Sequence, residues 1–255
     1  MSLTTRGYAV LPADSGVLEW AEAAAVRART LVASEAARAK WLRHGGTWFV
    51  GVDMLDNAGD GSLDGVPLTG PWEQLVAPQE HWHKAQISVV YQGYPRRDES
   101  ESDTAFAFRR DRFAAHLDGL LPVGPNRRRM LKEPHAFILG MALNAASPEA
   151  APLVVYEGSH HVIREAFANR FKGLEPDAYA EVDLTDVYQE ARRTVFDRCP
   201  PRKLPLLPGQ SVLVHRLAIH GIAPWKSGAW GPEEGRMMAY FRPLLDHPQD
   251  WIEAP

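Results

Sequence analysis

The sequence predicts a mainly β protein, a β-sandwich or a jelly-roll barrel, with helices packed outside it. Three observations carry this prediction: a long amphipathic stretch near the start, a series of short apolar runs after it, and turns rich in glycine, proline and aspartate between those runs. Apolar runs that follow one another with few helical inserts favour this class over alternating β-α-β units. A length of 255 residues is compatible with one such domain. We expect a single domain over residues 1–255 with its barrel core over 46–243.

The first predicted element is a helix over residues 15–43. Val17, Trp20 and Ala24 recur at helical spacing on one face, which is typical of a helix that covers a core. Ser15 is the expected N-cap, because its hydroxyl can accept from a free amide of the first turn. The glycine pair at 45–46 is the expected stop.

After this helix, short runs rich in β-branched and aromatic residues predict strands. They cover residues 47–55, 85–92, 136–143, 152–156, 211–219 and 236–243. Two further helices are predicted over Ile163–Phe171 and Leu184–Phe196, and Asp183 is the expected cap of the second.

Composition and charge exclude several classes of protein. The net charge of −4 gives no electrostatic basis for binding nucleic acid or an anionic membrane. The longest apolar run, around residues 136–143, is too short to cross a bilayer. A single cysteine, Cys199, allows no intrachain disulfide, and the first residues show no apolar run suited to a signal peptide. These features predict a cytoplasmic protein.

Two charged segments each have two interpretations. The loop over 91–103 carries both signs of charge and is either a solvated loop or an active-site lid. Arg127, Arg128 and Arg129 form either a solvated basic loop or a contact surface for an anionic substrate.

Several common catalytic motifs are absent from the sequence. No G-x-S-x-G elbow of a serine hydrolase occurs. Cys199 stands before two prolines with no obvious base nearby and is interpreted as structural. His81 and His83 lack a third ligand at a suitable spacing.

His116 and Asp118 form the chain's single H-x-[DE] pair. Ten histidines and 32 acidic residues predict roughly one such pair by chance, so the spacing alone carries little information. The pair is either a surface turn or two ligands of one metal ion. It lies in the apolar stretch AAHLDGLLP, where a carboxylate is costly to bury unless it is paired or bound to a metal. On a strand, the two side chains would project from the same face.

Two downstream residues extend this constellation. His220 ends an apolar run and Arg236 opens the last predicted strand. Two imidazoles and one carboxylate are the ligand set of Fe(II) oxygenases, and a guanidinium can bind the distal carboxylate of 2-oxoglutarate with two parallel hydrogen bonds. Arg242 shares the strand parity of Arg236 and is its rival, but it stands at the far end of the strand, so Arg236 is favoured.

With these residues in view, the chain resembles the phytanoyl-CoA dioxygenase family of Fe(II)/2-oxoglutarate oxygenases over about 86–243. The similar pieces are AHLDGL, PLVVYEGSH and PGQSVLVHRLAIHG followed by Arg236. The resemblance implies a double-stranded β-helix (jelly-roll, cupin-like) core, Fe(II) bound by His116, Asp118 and His220, and 2-oxoglutarate bound by Arg236. Halogenating relatives lack the carboxylate ligand, so Asp118 implies oxygenation, in the form of hydroxylation of a small-molecule substrate with release of succinate and CO2.

The sequence departs from the family's usual pattern in two places. Glu157 stands where many members have proline, and the gap between His220 and Arg236 is long, which indicates an inserted loop. Gln86 and Tyr91 lie on a strand that in the family can contact the co-substrate or substrate, and both are candidates for that role.

The remaining histidines have structural interpretations. His135 and His215 lie on apolar strands and are interpreted as core histidines, with Arg216 pointing outward. His160 and His161 follow the GSH turn and either stabilise it or lie near the mouth of the site.

Two other functions stay open at the level of sequence. One is a cupin-like metal enzyme that uses no 2-oxoglutarate. The other is a non-catalytic barrel that binds a small molecule. The substrate and the oligomeric state cannot be predicted from these patterns.

Overall fold

The computed structural model describes residues 2–254. In this range the α-helices are α1 Ser2–Arg6, α2 Ser15–Ala33, α3 Glu35–Trp41, α4 Asp103–Asp111, α5 Ser159–Phe171, α6 Thr185–Arg198 and α7 Asp250–Glu253. The strands are β1 Tyr8–Leu11, β2 Leu42–Arg43, β3 Trp48–Gly51, β4 Gln86–Val90, β5 Leu120–Val123, β6 Arg128–Leu131, β7 Phe137–Ala142, β8 Leu153–Tyr156, β9 Pro201–Leu204, β10 Ser211–His215, β11 His220–Ile222 and β12 Arg236–Phe241. Short 3-10 helices cover Pro71–Gln74 and Pro176–Glu181.

The strands form antiparallel sheets, which confirms the prediction of a mainly β protein with flanking helices. A seven-stranded sheet has the order β1-β10-β7-β12-β4-β3-β2, and a three-stranded sheet has the order β11-β8-β9. Strands β5 and β6 pair as a separate hairpin. Antiparallel sheets of this kind bury one face against a second layer and need no crossover helices.

The seven-stranded sheet is covered on both faces, and the parity of β12 shows how. Phe241 belongs to a buried cluster with Trp20 of α2, and their ring centroids are 5.5 Å apart. Met238 and Tyr240 belong to a second buried cluster with Val155 of the three-stranded sheet. Because alternate residues of a strand project to opposite faces, the even positions of β12 face the small sheet and the odd ones face the helix. The interior between the two sheets therefore receives residues of even parity.

The first predicted helix is wrong in its length and in its cap. The helical stretch breaks at Ser34, whose backbone is extended and whose hydroxyl accepts from the amide of Ala37, so that α3 begins anew. The cap of α2 is Asp14 rather than Ser15, since the Asp14 carboxylate accepts from two amides of the first turn. The helical segment ends at Trp41, before the glycine pair, because β2 follows directly.

The six predicted strand regions each contain a strand, and both later helices are present. The helix predicted from Ile163 begins earlier, at Ser159. Asp183 accepts from the amide of Thr185 at 2.9 Å, although the residue at the cap position of α6 is Leu184. Several elements lie where no element was predicted: α1, β1, α4, β6, β9, β11 and α7. None of the helices within 2–254 is both long and apolar enough to span a membrane.

Candidate metal centre

The backbone of one loop brings His116 beside His220. Contrary to the sequence prediction, His116 and Asp118 do not lie on a strand but in the loop between α4 and β5. His116 forms an isolated antiparallel bridge with His220, in which the His116 amide donates to the His220 carbonyl at 2.8 Å and the His220 amide donates to the His116 carbonyl at 3.0 Å. Directly opposed residues project on the same side, and the two imidazole centroids lie 4.7 Å apart.

Two glycines allow this close approach. Gly119 follows Asp118 with φ +87°, and a Cβ there would collide with the carbonyl oxygen of Glu133. Gly221 follows His220, and a Cβ there would collide with the carbonyl oxygen of Phe113. A larger residue at either position would push the loop away from β11, so these glycines set the separation of the two histidines.

Asp118 lies between the two imidazoles. Its Oδ1 is 3.2 Å from Nε2 of His116, and its Oδ2 is 3.8 Å from Nε2 of His220. One ligand atom from each of the three residues lies within 4.8 Å of the other two. Residues two apart therefore lie together as the sequence predicted, although a loop rather than a strand holds them.

Backbone carbonyls fix the orientation of both rings. Nδ1 of His116 lies 3.0 Å from the carbonyl oxygen of Ala114, and Nδ1 of His220 lies 3.0 Å from that of Ala218. With each Nδ1–H donating to a carbonyl, both Nε2 atoms are directed toward Asp118, and Nε2 of His116 can hold either a proton or a cation there. Metal-binding histidines are commonly held in this way, with the second ring nitrogen bonded to a carbonyl or carboxylate.

The electrostatics of the cluster suit a cation. Burial opposes ionisation of Asp118, but the hydrogen bond from His116 and the neighbouring positive charges hold its pKa well below the usual value. Burial lowers the pKa of His220 to about 4, so this imidazole is neutral near pH 7. For His116, the loss of water on the side of the ring that meets Asp118 favours the neutral form, but the hydrogen bond to Asp118 outweighs this and raises the pKa, so a proton competes with a cation there. The His116 side chain is 45% exposed, which leaves the cluster open to solvent on that side.

Arg242 approaches the same carboxylate from the end of β12. Its Nη1 lies 3.6 Å from Oδ2 of Asp118. Its Nε is buried without a hydrogen-bond partner among residues 2–254. The guanidinium is thus close to the cluster but makes no short contact with it.

Arg236 lies at the other end of β12, on the inner face. It is 8% exposed, and its Nε and Nη2 have no hydrogen-bond partner within the described part of the chain. The hydroxyls of Tyr94 and Tyr240 are also buried without a well-aligned hydrogen bond, although the Tyr240 hydroxyl neighbours Arg236 and the Tyr94 hydroxyl neighbours Arg109. Burial lowers the pKa of Arg236, the nearby tyrosines oppose that effect, and burial raises the pKa of Tyr94 to about 12. Unpaired buried donors around a guanidinium are costly unless an anion is bound there.

The two residues predicted on the strand before the H-x-D pair lie on opposite sides of the sheet. Gln86 is directly opposite Tyr240 in the register of β4 and β12, so it faces the interior. Tyr91 packs against the cluster under the helices, with the guanidinium of Arg38 6.0 Å from its ring centroid. The structure therefore brings Gln86, but not Tyr91, to the face that carries Arg236.

The sequence analysis missed a second group of possible ligands, which lies in the turn between β2 and β3 and in the loop between β4 and α4. His44, Asp98 and Glu101 also bring ligand atoms within 4.8 Å of one another. Here Arg109 occupies the cluster: it lies 2.7 Å from Nε2 of His44 and forms an ion pair with Glu101. A guanidinium already balances these carboxylates, so this group is not suited to a metal ion. Asp98 and Glu101 lie three residues apart in the charged loop 91–103, but His44 comes from the turn after β2, so no single spacing marks the three as a group.

Sequence analysis also missed the two tyrosines beside Arg236. Tyr240 has the same strand parity as Arg236, so the alternation of β12 offered a signal for it. Tyr94 lies in the loop after β4, and no local pattern marks it.

The predicted core histidines are placed as expected, and one arginine is not. His135 is 5% exposed, and its Nδ1 lies 3.0 Å from the carbonyl oxygen of Arg242. His215 accepts from the amide of Leu217 at 3.0 Å. The prediction that Arg216 points outward is wrong, because it is 5% exposed and donates to backbone carbonyls.

His160 after the GSH turn and Arg128 of the basic run also have protein partners. Nε2 of His160 lies 2.9 Å from the carbonyl oxygen of Thr4, which supports the interpretation that it stabilises the turn. Arg128 forms ion pairs with Asp183 and Asp186 at the start of α6. The central member of the basic run is therefore engaged by the protein.

Comparison with known proteins gives distant structural likenesses. No family model matches the sequence, and no curated protein matches it. SnoN, a non-heme α-ketoglutarate-dependent epimerase from nogalamycin biosynthesis, is 14% identical, with 94% of this chain and 78% of that chain covered and a TM-score of 0.44. AviO1 from Streptomyces viridochromogenes Tue57 is 16% identical, with 96% and 93% covered and a TM-score of 0.43. EctD from S. alaskensis with bound Fe is 16% identical, with 94% and 73% covered and a TM-score of 0.43. At this distance the site is judged on its own geometry.

Proposed function

We propose that the protein is an Fe(II)- and 2-oxoglutarate-dependent oxygenase that hydroxylates a small molecule, with one catalytic domain spanning the chain. The observation that carries the proposal is the convergence of His116, Asp118 and His220 at the edge of the small sheet, together with a buried arginine, Arg236, of which two nitrogens lack an acceptor among the described residues. The order of the H-x-D pair, the distal histidine and the arginine supports the finer assignment to the phytanoyl-CoA dioxygenase family.

The three side chains fit Fe(II) by their chemistry. Two imidazoles and one carboxylate on one side of an ion leave further coordination positions for small ligands. The carbonyls of Ala114 and Ala218 hold the rings so that both Nε2 atoms face Asp118, and such support is what keeps metal ligands in place. One carboxylate offsets part of the charge of a dication, in a cluster where it is already ionised.

Arg236 fits the distal carboxylate of 2-oxoglutarate. Its planar fork can donate two parallel hydrogen bonds, which a lysine could not. The hydroxyls of Tyr94 and Tyr240 supply further donors beside it, and Gln86 shares the inner face. Arg242 is the poorer candidate for this role, because its contact with Asp118 puts it at the metal end of the strand.

The arrangement of strands supports a double-stranded β-helix. Four central strands of the large sheet have the order β4-β12-β7-β10: β12, β7 and β10 share a buried cluster with β8 and β9, and Val90 of β4 shares another with Ile222 of β11. The bridge of His116 to His220 adds a fourth segment to the edge of the small sheet. Eight segments in two facing sheets are the composition of a jelly roll.

When bound, iron and 2-oxoglutarate would activate O2, so that one oxygen atom would enter a substrate C–H bond as a hydroxyl group and the other would enter succinate, with release of CO2. The chain contributes by positioning the metal and the co-substrate and by excluding water from them. His116, Asp118 and His220 hold the metal, and Arg236 orients the co-substrate in a region where burial strengthens the charge interaction. The exposure of His116 leaves an approach for substrate from the solvent side.

The test is the visible charge-transfer band of Fe(II) with 2-oxoglutarate under anaerobic conditions. We expect the wild-type protein to develop the band, His116→Ala to lose it, and the exposed-histidine control His161→Ala to retain it. Arg236→Met should weaken the affinity for 2-oxoglutarate on the order of 100-fold, since a charge-assisted bidentate contact is lost, while Fe(II) affinity stays unchanged.

Other outcomes would select the alternatives. Metal binding in which 2-oxoglutarate gives no band and no calorimetric heat would favour a cupin-like enzyme that does not use it. Failure of the wild-type protein to bind Fe(II) at all would overturn the proposal and leave a non-catalytic barrel.

A further inference from the structure

Helix α5 directs two basic side chains at the end of β10. His160 and Arg164 are four residues apart on α5, so they lie on the same face of the helix, one turn apart. Both contact His215 of β10: the ring centroids of His160 and His215 are 4.7 Å apart, and Nη2 of Arg164 lies 3.0 Å from Nε2 of His215. The two imidazoles are 1% and 2% exposed. These three side chains form a buried basic cluster to which none of the candidate metal ligands belongs.

Two donors point at His215, although a neutral imidazole has only one nitrogen that accepts a hydrogen bond. The amide of Leu217 donates to Nδ1 at 3.0 Å, so the ring proton is on Nε2. The guanidinium of Arg164 lies 3.0 Å from that Nε2, and a contact between two donors is not a hydrogen bond. Burial lowers the pKa of His215 to about 2, so the ring is neutral near pH 7. His215 and Arg164 therefore both present a donor that lacks an acceptor.

Arg164 has a second donor without an acceptor. Its Nε is buried and has no hydrogen-bond partner among residues 2–254. Burial lowers the pKa of this guanidinium, and no carboxylate of the described residues opposes that effect. Nε and Nη2 form one edge of the planar group, and such an edge binds a carboxylate or a phosphate through two parallel hydrogen bonds. The chemistry of this edge therefore calls for an oxyanion.

The charge of Arg164 is not matched by its neighbours. Burial, and then the charge of Arg164, lower the pKa of Arg216 to about 10, whereas the carboxylate of Asp250 raises it. Asp250 thus acts on Arg216, which also donates to backbone carbonyls of the C-terminal segment. His160 adds no charge near pH 7, because burial lowers its pKa to about 4. Within the described part of the chain, the cluster around Arg164 is therefore short of negative charge.

A surface groove connects this cluster to solvent. His215 and Arg216 line the groove together with Thr4, whose carbonyl oxygen lies 2.9 Å from Nε2 of His160. Arg164 is itself partly exposed. A small ion can therefore reach the donors from the surface.

We propose that Arg164 and His215 form a binding site for a small oxyanion of the carboxylate or phosphate class, which accepts from the Nε–Nη2 edge of Arg164 and from Nε2–H of His215. Such an ion supplies the acceptor that the facing donors and the buried Nε lack. It also offsets the charge of Arg164 in a region where burial strengthens charge interactions. A metal ion does not suit this place, because the side chains present N–H groups rather than lone pairs. The site does not depend on the proposed oxygenase function.

The test titrates inorganic phosphate, acetate and chloride into the metal-free, full-length protein at constant ionic strength, with calorimetry as the measurement. The protein carries Arg236→Met, so that the proposed co-substrate pocket does not contribute. One oxyanion per chain should bind at least about tenfold more tightly than chloride, because chloride cannot accept two parallel hydrogen bonds. Tighter binding of phosphate would indicate a phosphorylated ligand and tighter binding of acetate a carboxylate, and both support the site. Absence of saturable binding by either oxyanion, or equal binding of chloride, would overturn the proposal.

Two substitutions on α5 locate the bound ion. Arg164→Gln should weaken the tighter of the two oxyanions at least about tenfold, because a charge-assisted contact is lost. Arg170→Gln, at an exposed position in the last turn of the same helix, should leave the affinity unchanged. An unchanged affinity in Arg164→Gln would overturn the proposal.

Imidazole nitrogen NMR of the unsubstituted protein gives a second measurement that does not require a variant to fold. Addition of the oxyanion should shift the resonance of Nε2 in His215 and leave that of His135 unchanged. Nδ1 of His135 lies 3.0 Å from the carbonyl oxygen of Arg242. A shift at His135 without one at His215 would place the ion beside Arg242 and contradict the proposal.

Discussion

Two arginines of this protein are buried to nearly the same extent and have different environments. Arg216 is 5% exposed and Arg236 is 8% exposed. The guanidinium of Arg216 donates to backbone carbonyls of the C-terminal segment and of the start of β7: those of Trp251, Asp250, Ala254 and Ala136. Nε and Nη2 of Arg236 have no acceptor within residues 2–254. Arg216 stabilises the packing of the C-terminal segment, whereas two nitrogens of Arg236 have no acceptor among the described residues. The buried fraction alone does not distinguish the two arginines. The number of hydrogen-bond acceptors around each guanidinium does.

The same distinction separates two buried histidines. Nδ1 of His215 accepts from the amide of Leu217 at 3.0 Å, and its Nε2 lies 3.0 Å from the guanidinium of Arg164, so both ring nitrogens have protein neighbours. His220 uses only Nδ1 for a backbone carbonyl, and its Nε2 faces Asp118. A histidine with one nitrogen anchored and one directed at a carboxylate has the arrangement of a metal ligand.

The largest predicted effect is on stability and tests the comparison of the arginines directly. Arg216→Met should lower the free energy of unfolding by at least about 3 kcal/mol, because several buried carbonyls lose their donor at once. Arg236→Met should leave the free energy of unfolding unchanged or raise it by up to about 1 kcal/mol, since it removes a buried charge without a partner. Urea unfolding of the metal-free protein measures both. Equal destabilisation by the two substitutions would show that Arg236 also has a structural role.

The sequence predicted those features that depend on interactions between residues close together along the chain. Alternating and apolar runs predicted the six strand regions, because strand parity and burial depend on neighbouring residues. The composition of the candidate site was predicted for the same reason: H-x-D is a local spacing, and the end of an apolar run marked His220. The strand assignment for His116 was wrong because Gly119 and Gly221 permit a tight loop and a single bridge in place of a ladder.

What could not be predicted depends on long-range partners. The outward orientation expected for Arg216 failed because its acceptors are backbone carbonyls, which every residue has and which leave no trace in the sequence. Tyr94 reaches Arg236 from a loop, and Arg109 neutralises the second acidic cluster from α4. These contacts depend on tertiary packing. Only the three-dimensional structure therefore distinguishes the cluster around Asp118 from the cluster around Glu101.

A smaller effect is predicted for the dependence of stability on pH. Burial lowers the pKa of His160 to about 4 and that of His215 to about 2, with the charge of Arg216 contributing in both cases. The unfolded chain takes up these protons near pH 6.5 and the folded chain does not. The free energy of unfolding should therefore fall as the pH drops below about 6.5, by about 2 kcal/mol per imidazole between pH 7 and pH 5.

This acid sensitivity can be assigned by substitution. His160→Gln should lose about 2 kcal/mol of the difference between pH 7 and pH 5, and the exposed-histidine control His81→Gln should keep it. Urea unfolding of metal-free protein at the two pH values measures the difference. An unchanged pH dependence in His160→Gln would mean that this imidazole is protonated in the folded state.

The smallest predicted effect is on stability and compares two neighbouring residues at the start of α2. Only one of them accepts hydrogen bonds from amides of the first turn. Asp14 accepts from the amides of Gly16 and Val17, whereas Ser15, the residue expected from the sequence to cap the helix, is its first helical residue. Asp14→Ala should lower the free energy of unfolding by about 1 kcal/mol, because the first turn loses its acceptor. Ser15→Ala should change it by no more than a few tenths of a kcal/mol. Thermal unfolding of the two variants measured side by side shows which substitution destabilises the protein more. A larger loss for Ser15→Ala would identify Ser15 as the cap and contradict the assignment to Asp14.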